Sequence, residues 1–280
     1  MVLGILVFLD LWGISKRYLN NEKKGSKYKY WVDKHRYANP FQPTSADMFI
    51  LNHELEENPS LKNLANKEIE QIQNQNKLKK EELNTEKAKV YFRELNYATN
   101  YRVLSLNNPF SEARESYFHK SLGGYHGAKL RSFDELIDFH ISREYSHLAY
   151  LLKNNADRSQ IIEFPVLNML NTKYIIFDYN SAPLVNPNRF GPAWFVDSIK
   201  VVKNADKEML ALENIEKSFA IVQKKYIGET DTDTHFINDS SAIILLDQYR
   251  PNHLVYKTKR LIVNNSQYSL NYYLQLECLY

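Results

Sequence analysis

From Ser60 to Ala98 the chain contains neither proline nor glycine, and Glu, Lys, Gln and Leu dominate. These residues are strong helix formers, and nothing in the stretch breaks a helix. Ser60, directly after Pro59, is placed to cap its start. Leu61, Leu64, Ile69 and Ile72 give only a thin apolar stripe, so most of the surface is solvated. Sustained apolar heptads are missing, most clearly over Gln73–Lys80, which argues against a coiled coil. Residues 53–98 are therefore expected as a long charged helical segment, either one exposed helix or a helical hairpin.

The remaining sequence must supply the core. Hydrophobic residues make up 44% of the 280 and charged residues 25%, which suits a packed domain and excludes wholesale disorder. The 36 Lys and Arg against 33 Asp and Glu leave a net charge of +3. That balance gives no support for a nucleic-acid partner, which needs clustered positive charge. The lone cysteine, Cys278, excludes an internal disulfide framework and a cysteine zinc cluster.

Residues 1–14, MVLGILVFLDLWGI, are apolar except for Asp10. The run is shorter than the roughly 20 residues a spanning helix needs. It lacks the positive start and the small-residue cleavage site of a signal peptide. Because Val2–Leu9 is apolar on every face, the run is expected as the end of a transmembrane helix rather than an amphipathic first helix. Asp10, Trp12 and Tyr18 would lie at the membrane interface. Lys16, Arg17, Lys23, Lys24, Lys27 and Lys29 follow, and the positive-inside rule alone would put them in the cytoplasm. Residues 15–52, basic, aromatic and punctuated by Pro40 and Pro43, read as an extended connector.

Residues 99–259 have the texture of a mixed α/β domain of the α+β kind, a mixed sheet with helices packed on it. Strands are expected at Tyr101–Leu106, Lys173–Phe177, Trp194–Val202, Phe219–Gln223, Ala242–Leu246 and His253–Lys257. Helices are expected at Ser111–His119, with Ser111 as cap, and at Val166–Leu170 and Asp206–Glu213. The longest runs from Ser132 to about Leu152, where Ser132 and Glu135 have capping-box spacing.

Few residues in this domain suggest chemistry. His140, Glu144 and His147 share a helix face, but the two imidazoles are separated by roughly 10 Å of helical rise. One ion cannot bind both, so no metal site is assigned. The loop Ser121–Lys129 holds three of the eight glycines. It is either a tight turn or a ligand-contacting loop whose backbone N–H groups face phosphate, helped by Lys129 and Arg131. No phosphate-loop Gly-Lys-Ser/Thr pattern is present. Asp231 and Asp233 lack the remaining ligands of a calcium loop, and Asn238 and Asn264 match the glycosylation sequon without deciding anything. No nucleophile elbow is present either, so no catalytic residue and no cofactor is assigned.

Several blocks, in order, resemble the bacterial YfhO family of multi-pass membrane proteins in its Bacteroidota form. They are Leu9–Asn20, Pro43–Asp47, Tyr101–Phe110, Ser116–Ile141, Val166–Ile176, Asn186–Val196 and Tyr249–Lys259, the strongest being SYFHKSLGGYHGAKLRSFDELIDFHI. The resemblance implies a glycosyltransferase-like parent of the GT-C type that uses lipid-linked sugar and sits in the bacterial inner membrane. This chain would be part of its extracytoplasmic domain, facing the periplasm, against the simple charge rule. The parent's catalytic acids would lie in early loops outside this chain, leaving it non-catalytic in isolation. Contact with glycan or lipid phosphate is expected at Tyr125, His126, Lys129 and Arg131. Residues 260–280 depart from the family pattern and are expected to be a divergent tail, as from a frameshift. The alternatives are a bracing module that binds no ligand and a soluble α/β enzyme.

Overall fold

The computed structural model of the chain describes residues 2–18, 32, 34–75, 79–125, 127–154, 164–227, 234–235, 242–250 and 253–259. The chain divides into two units, Met1–Gln42 and Pro43–Tyr280.

The first unit contains helix α1 (Val2–Tyr18) and the short helix α2 (Lys34–Ala38). In α1, Leu3 is 76% exposed, Phe8 61% and Trp12 61%, so its apolar side chains stand largely exposed. Among the described residues no helix is long and apolar enough to cross a membrane.

The second unit is α+β. It opens with α3 (Ser45–Glu57), followed by α4 (Pro59–Gln75) and α5 (Lys80–Ala98). The extended connector expected over residues 15–52 is helical in three places: α1 runs on to Tyr18, α2 spans Lys34–Ala38, and Ser45–Asn52 form the first half of α3. Pro43 precedes this helix rather than interrupting it. Thr44 closes the first turn, its backbone N–H and its hydroxyl donating to Asp47 Oδ2 at 2.7 and 2.8 Å. The charged segment takes the hairpin form, since α4 and α5 pack together through Ala65, Ile69 and Val90. Leu64 lies 58% exposed, outside this seam. Ser60 is not the cap of α4, because Pro59 is already helical and the Ser60 hydroxyl donates to Asn58.

The main sheet has the order β1 (Arg102–Ser105), β2 (Thr172–Ile176), β3 (Leu184–Val185). β1 and β2 are parallel and β3 is antiparallel. Every residue of β2 is buried, as a central strand covered on both faces requires. Period-two alternation divides the core. Val103, Tyr174 and Ile176 join Ala46 and Ile50 of α3 on one face. Leu104 and Ile175 join the larger cluster on the other.

Between β1 and β2 run α6 (Arg114–Phe118), α7 (Arg131–Leu136), a π-helical turn (Ile137–Ile141), α8 (Ser142–Lys153) and α9 (Pro165–Met169). The long helix expected from Ser132 is thus broken by a π turn, and it starts at Arg131 without the Ser132 cap. The helix expected from Ser111 starts later, because Asn108 adopts a φ of 49° and Ser111 N–H closes a turn onto its carbonyl. A second small sheet has the order β5 (Phe219–Gln223), β4 (Ser198–Val202), β6 (Thr234–His235), with α10 (Ala205–Ala211) between β4 and β5. Finally β7 (Ile243–Arg250) and β8 (His253–Lys259) form an antiparallel ribbon of their own. Asp231, Asp233, Asn238, Asn264 and the tail 260–280 lie outside the described residues.

Candidate functional site

Two buried polar networks hold α3, one to α6 and one to β2. At its start Asp47, fully buried, accepts a hydrogen bond from Arg114 Nη2 at 2.5 Å and one from His119 Nε2 at 3.1 Å. Burial pushes the Asp47 pKa up, but the bonds from His119, Arg114 and Thr44 outweigh it and hold the carboxyl well below its usual range. Arg114 also lies 4.5 Å from the centroid of the Tyr179 ring, whose hydroxyl donates to Glu115.

Two turns further along α3, Glu54 takes a salt bridge from Lys173 Nζ at 2.7 Å and a hydrogen bond from the Tyr174 hydroxyl at 2.6 Å. That assignment uses the tyrosine's single proton, so His53 Nδ1, 2.7 Å away, is the donor to its oxygen. Lys173 also reaches Glu57 at 2.6 Å, which lowers the Glu57 pKa. His53, Glu54 and Glu57 place one ligand atom each within 4.8 Å of one another, a spacing compatible with a metal ion. The ammonium of Lys173 already stands between both carboxylates, so a divalent cation would have to displace it. The cluster is an internal ion network.

The second feature is a cleft of about 430 Å³ between the main sheet, the second sheet and the ribbon, within the usual size of a small-molecule site. Its floor is apolar, with Phe133, Leu136, Met169, Met209 and Phe219. The Trp194 indole N–H at this wall is buried and has no acceptor among the described residues. Arg102, Lys120 and Tyr249 line the opposite end. Lys120 donates to the carbonyls of Asn96 and Thr99 where α5 ends, and its Nζ lies 3.5 Å from the centroid of the Tyr249 ring. Burial, with a smaller contribution from the charge of Arg102, pushes the Lys120 pKa down to about 7. The carbonyls and the aromatic face favour the ammonium form.

The walls are positioned by local devices. The π turn brings His140 to the carbonyl of Met209, to which its Nε2 donates at 2.7 Å, tying α10 to the helix behind it. Glu144 accepts the Val166 and Leu167 N–H groups at 2.8 and 2.9 Å, which fixes the start of α9. Burial raises its pKa, and those two bonds oppose the rise. His147 meets Phe164 edge-on at 5.8 Å. The three residues that share a helix face in the sequence thus serve three separate packing tasks.

Tyr125, Lys129 and Arg131, expected from the sequence to contact ligand, do not line this cleft. Tyr125 is 73% exposed, and His126 lies outside the described residues. Lys129 Nζ lies 3.8 Å from Asp134, while Arg131 donates to Glu135 at 2.8 Å, so the two cations diverge onto separate carboxylates. Glu135 does line the cleft, which makes Arg131 its near neighbour. The turn reading explains two glycines directly. A Cβ on Gly123 would stand 1.8 Å from the Pro109 carbonyl oxygen, and Gly124 has a φ of +127°.

Compared with protein-family models, curated proteins and solved structures, the chain matches none.

Proposed function

We propose that this chain is a non-catalytic, extracytoplasmic part of a YfhO-like membrane protein concerned with lipid-linked sugar transfer to a cell-envelope glycan. Its role there is to hold the sugar-bearing ligand, in the cleft rather than at Tyr125, Lys129 and Arg131. The observation that carries the reading is the make-up of the cleft, where Phe133, Trp194 and Phe219 line it together with the cations Arg102 and Lys120 and the carboxylates Glu135 and Glu208. Such a surface suits a ligand that is partly apolar and carries polar or anionic groups. The exposed apolar surface of α1 supports an attachment to lipid. The inner membrane, with the second unit on the periplasmic side, is the location this reading requires.

The test is titration of the full chain in detergent with a short-chain prenyl-phosphate monosaccharide, following Trp fluorescence. The free monosaccharide and the prenyl phosphate serve as separate probes. Saturable quenching by the conjugate that is lost in Trp194→Phe supports the reading. Absence of saturation with all three probes overturns it and leaves the bracing module, the reading that the tight Gly123–Gly124 turn and the two ion networks favour.

A further inference from the structure

Glu208 and Gln223 both line the large cleft and are bonded to each other. Gln223 is the last residue of β5 and is only 7% exposed, while Glu208 lies half-buried in α10. The Gln223 Nε2 donates to Glu208 Oε2 at 2.5 Å. An ionised carboxylate only accepts, so the amide has to turn its NH2 group toward it, and the direction of its carbonyl oxygen follows. Both residues stand on anchored elements. Asn204 caps α10, its side chain accepting the Lys207 N–H at 3.1 Å, and His140 holds the carbonyl of Met209, the residue next to Glu208. Gln223 is paired with Val202 in the parallel ladder of β5 and β4. The two side chains are therefore set in place by strand and helix rather than by a loop, as a selective site requires.

Their bond uses one amide proton and one of about four acceptor positions of the carboxylate. What the pair still offers is mainly oxygen, which suits O–H donors. Arg102 and Lys120 have the opposite preference, for an anion. Those cations belong to β1 and to the segment bonded to the end of α5, whereas the pair belongs to the second sheet and its helix. We propose that Glu208 and Gln223 are the residues that read sugar hydroxyls in the cleft, so that a glycosyl phosphate lies in one direction, its sugar on this pair and its phosphate toward Arg102 and Lys120. The proposal rests on the reading that the cleft receives a sugar-bearing ligand, and adds to it the residues that select the sugar. A site built to bond hydroxyls rejects a ligand without them, because its own polar groups are then left unpaired.

The test compares two ligands on the full chain in detergent, a short-chain prenyl-phosphate monosaccharide and the prenyl phosphate without sugar, each followed by Trp fluorescence. The parent chain is expected to bind the conjugate about tenfold more tightly or better, the scale of one hydrogen bond to a charged group. Glu208→Gln keeps an acceptor for the Gln223 N–H but puts an amide NH2 where the second carboxylate oxygen stood, and it is the deciding variant. It should remove most of the tenfold preference and leave prenyl-phosphate affinity unchanged. Gln223→Met, once its circular dichroism matches the parent's, should do the same. A pair that merely ties α10 to β5 would weaken both ligands alike in Glu208→Gln, and that result overturns the proposal. Equal affinity of the parent chain for the two ligands overturns it too, and in both cases the cleft stands as a ligand site. Saturation with neither ligand overturns the reading on which the proposal rests.

Discussion

The carboxylate of Asp47 and the guanidinium of Arg114 meet at 2.5 Å, with the aspartate side chain wholly buried and the arginine side chain 11% exposed. The pair joins the first turn of α3 to α6, elements separated by 67 residues of sequence. Removing one member of a buried pair leaves the other charged and unpaired. Asp47→Asn is therefore expected to destabilise the second unit by roughly 3 kcal/mol. The exposed pair Arg93–Glu68 provides the contrast, since Glu68→Gln should cost less than about 1 kcal/mol. Urea unfolding of the two variants, followed by circular dichroism, checks the difference.

The same carboxylate sets an acid limit. Its folded pKa lies below the ordinary value of 3.8. Ionised Asp47 thus stabilises the fold fully above that value, and the contribution drains away as pH falls below it. The stability gap between the parent chain and Asp47→Asn should shrink as pH falls below about pH 4. Urea midpoints measured across that range decide the point, and an undiminished gap at about pH 3 would refute it.

Gly123 and Gly127 sit in one loop but differ in their surroundings. A methyl group on Gly123 collides with the Pro109 backbone, whereas one on Gly127 meets nothing within 4 Å. Gly123→Ala should cost about 1–3 kcal/mol, as other overpacking substitutions do. Gly127→Ala should stay within about 0.5 kcal/mol. Thermal melts of the two variants give the comparison.

Glu144 holds two backbone N–H groups at the start of α9. Glu144→Ala leaves both without their acceptor, at a cost of about 1–3 kcal/mol for each buried donor. Glu144→Gln keeps an acceptor and should recover part of the loss. Denaturant midpoints separate the two, and equal losses would show that the charge, not the hydrogen bonds, matters.

Much of the sheet was legible because strand signals are local. β5 coincides with the expected Phe219–Gln223, and β1, β2 and α9 differ from their expected bounds by a residue or two. α3 was hidden by Pro40 and Pro43, although Thr44-x-x-Asp47 carries a capping signal that could have revealed it. The π turn had no local signal, since its partner contact reaches 69 residues away to Met209. The cleft escaped for a similar reason. Lys120, Trp194 and Tyr249 are each unremarked in their own neighbourhoods and come together only through the packing of separate elements. The glycine-dense loop is conspicuous in the sequence, yet at Gly123 and Gly124 the glycines answer to backbone crowding and a positive φ.

Because α3 carries an anchor at each of its two ends, it sets where the second unit can be cut for expression. A recombinant piece starting at residue 53, where the charged segment begins in the sequence, would discard Asp47 while keeping Arg114 and His119. Two buried nitrogenous side chains would then lack their carboxylate. Any shortened form meant to fold has to begin no later than Pro43, so that the helix cap and its acid travel with the sheet they stabilise.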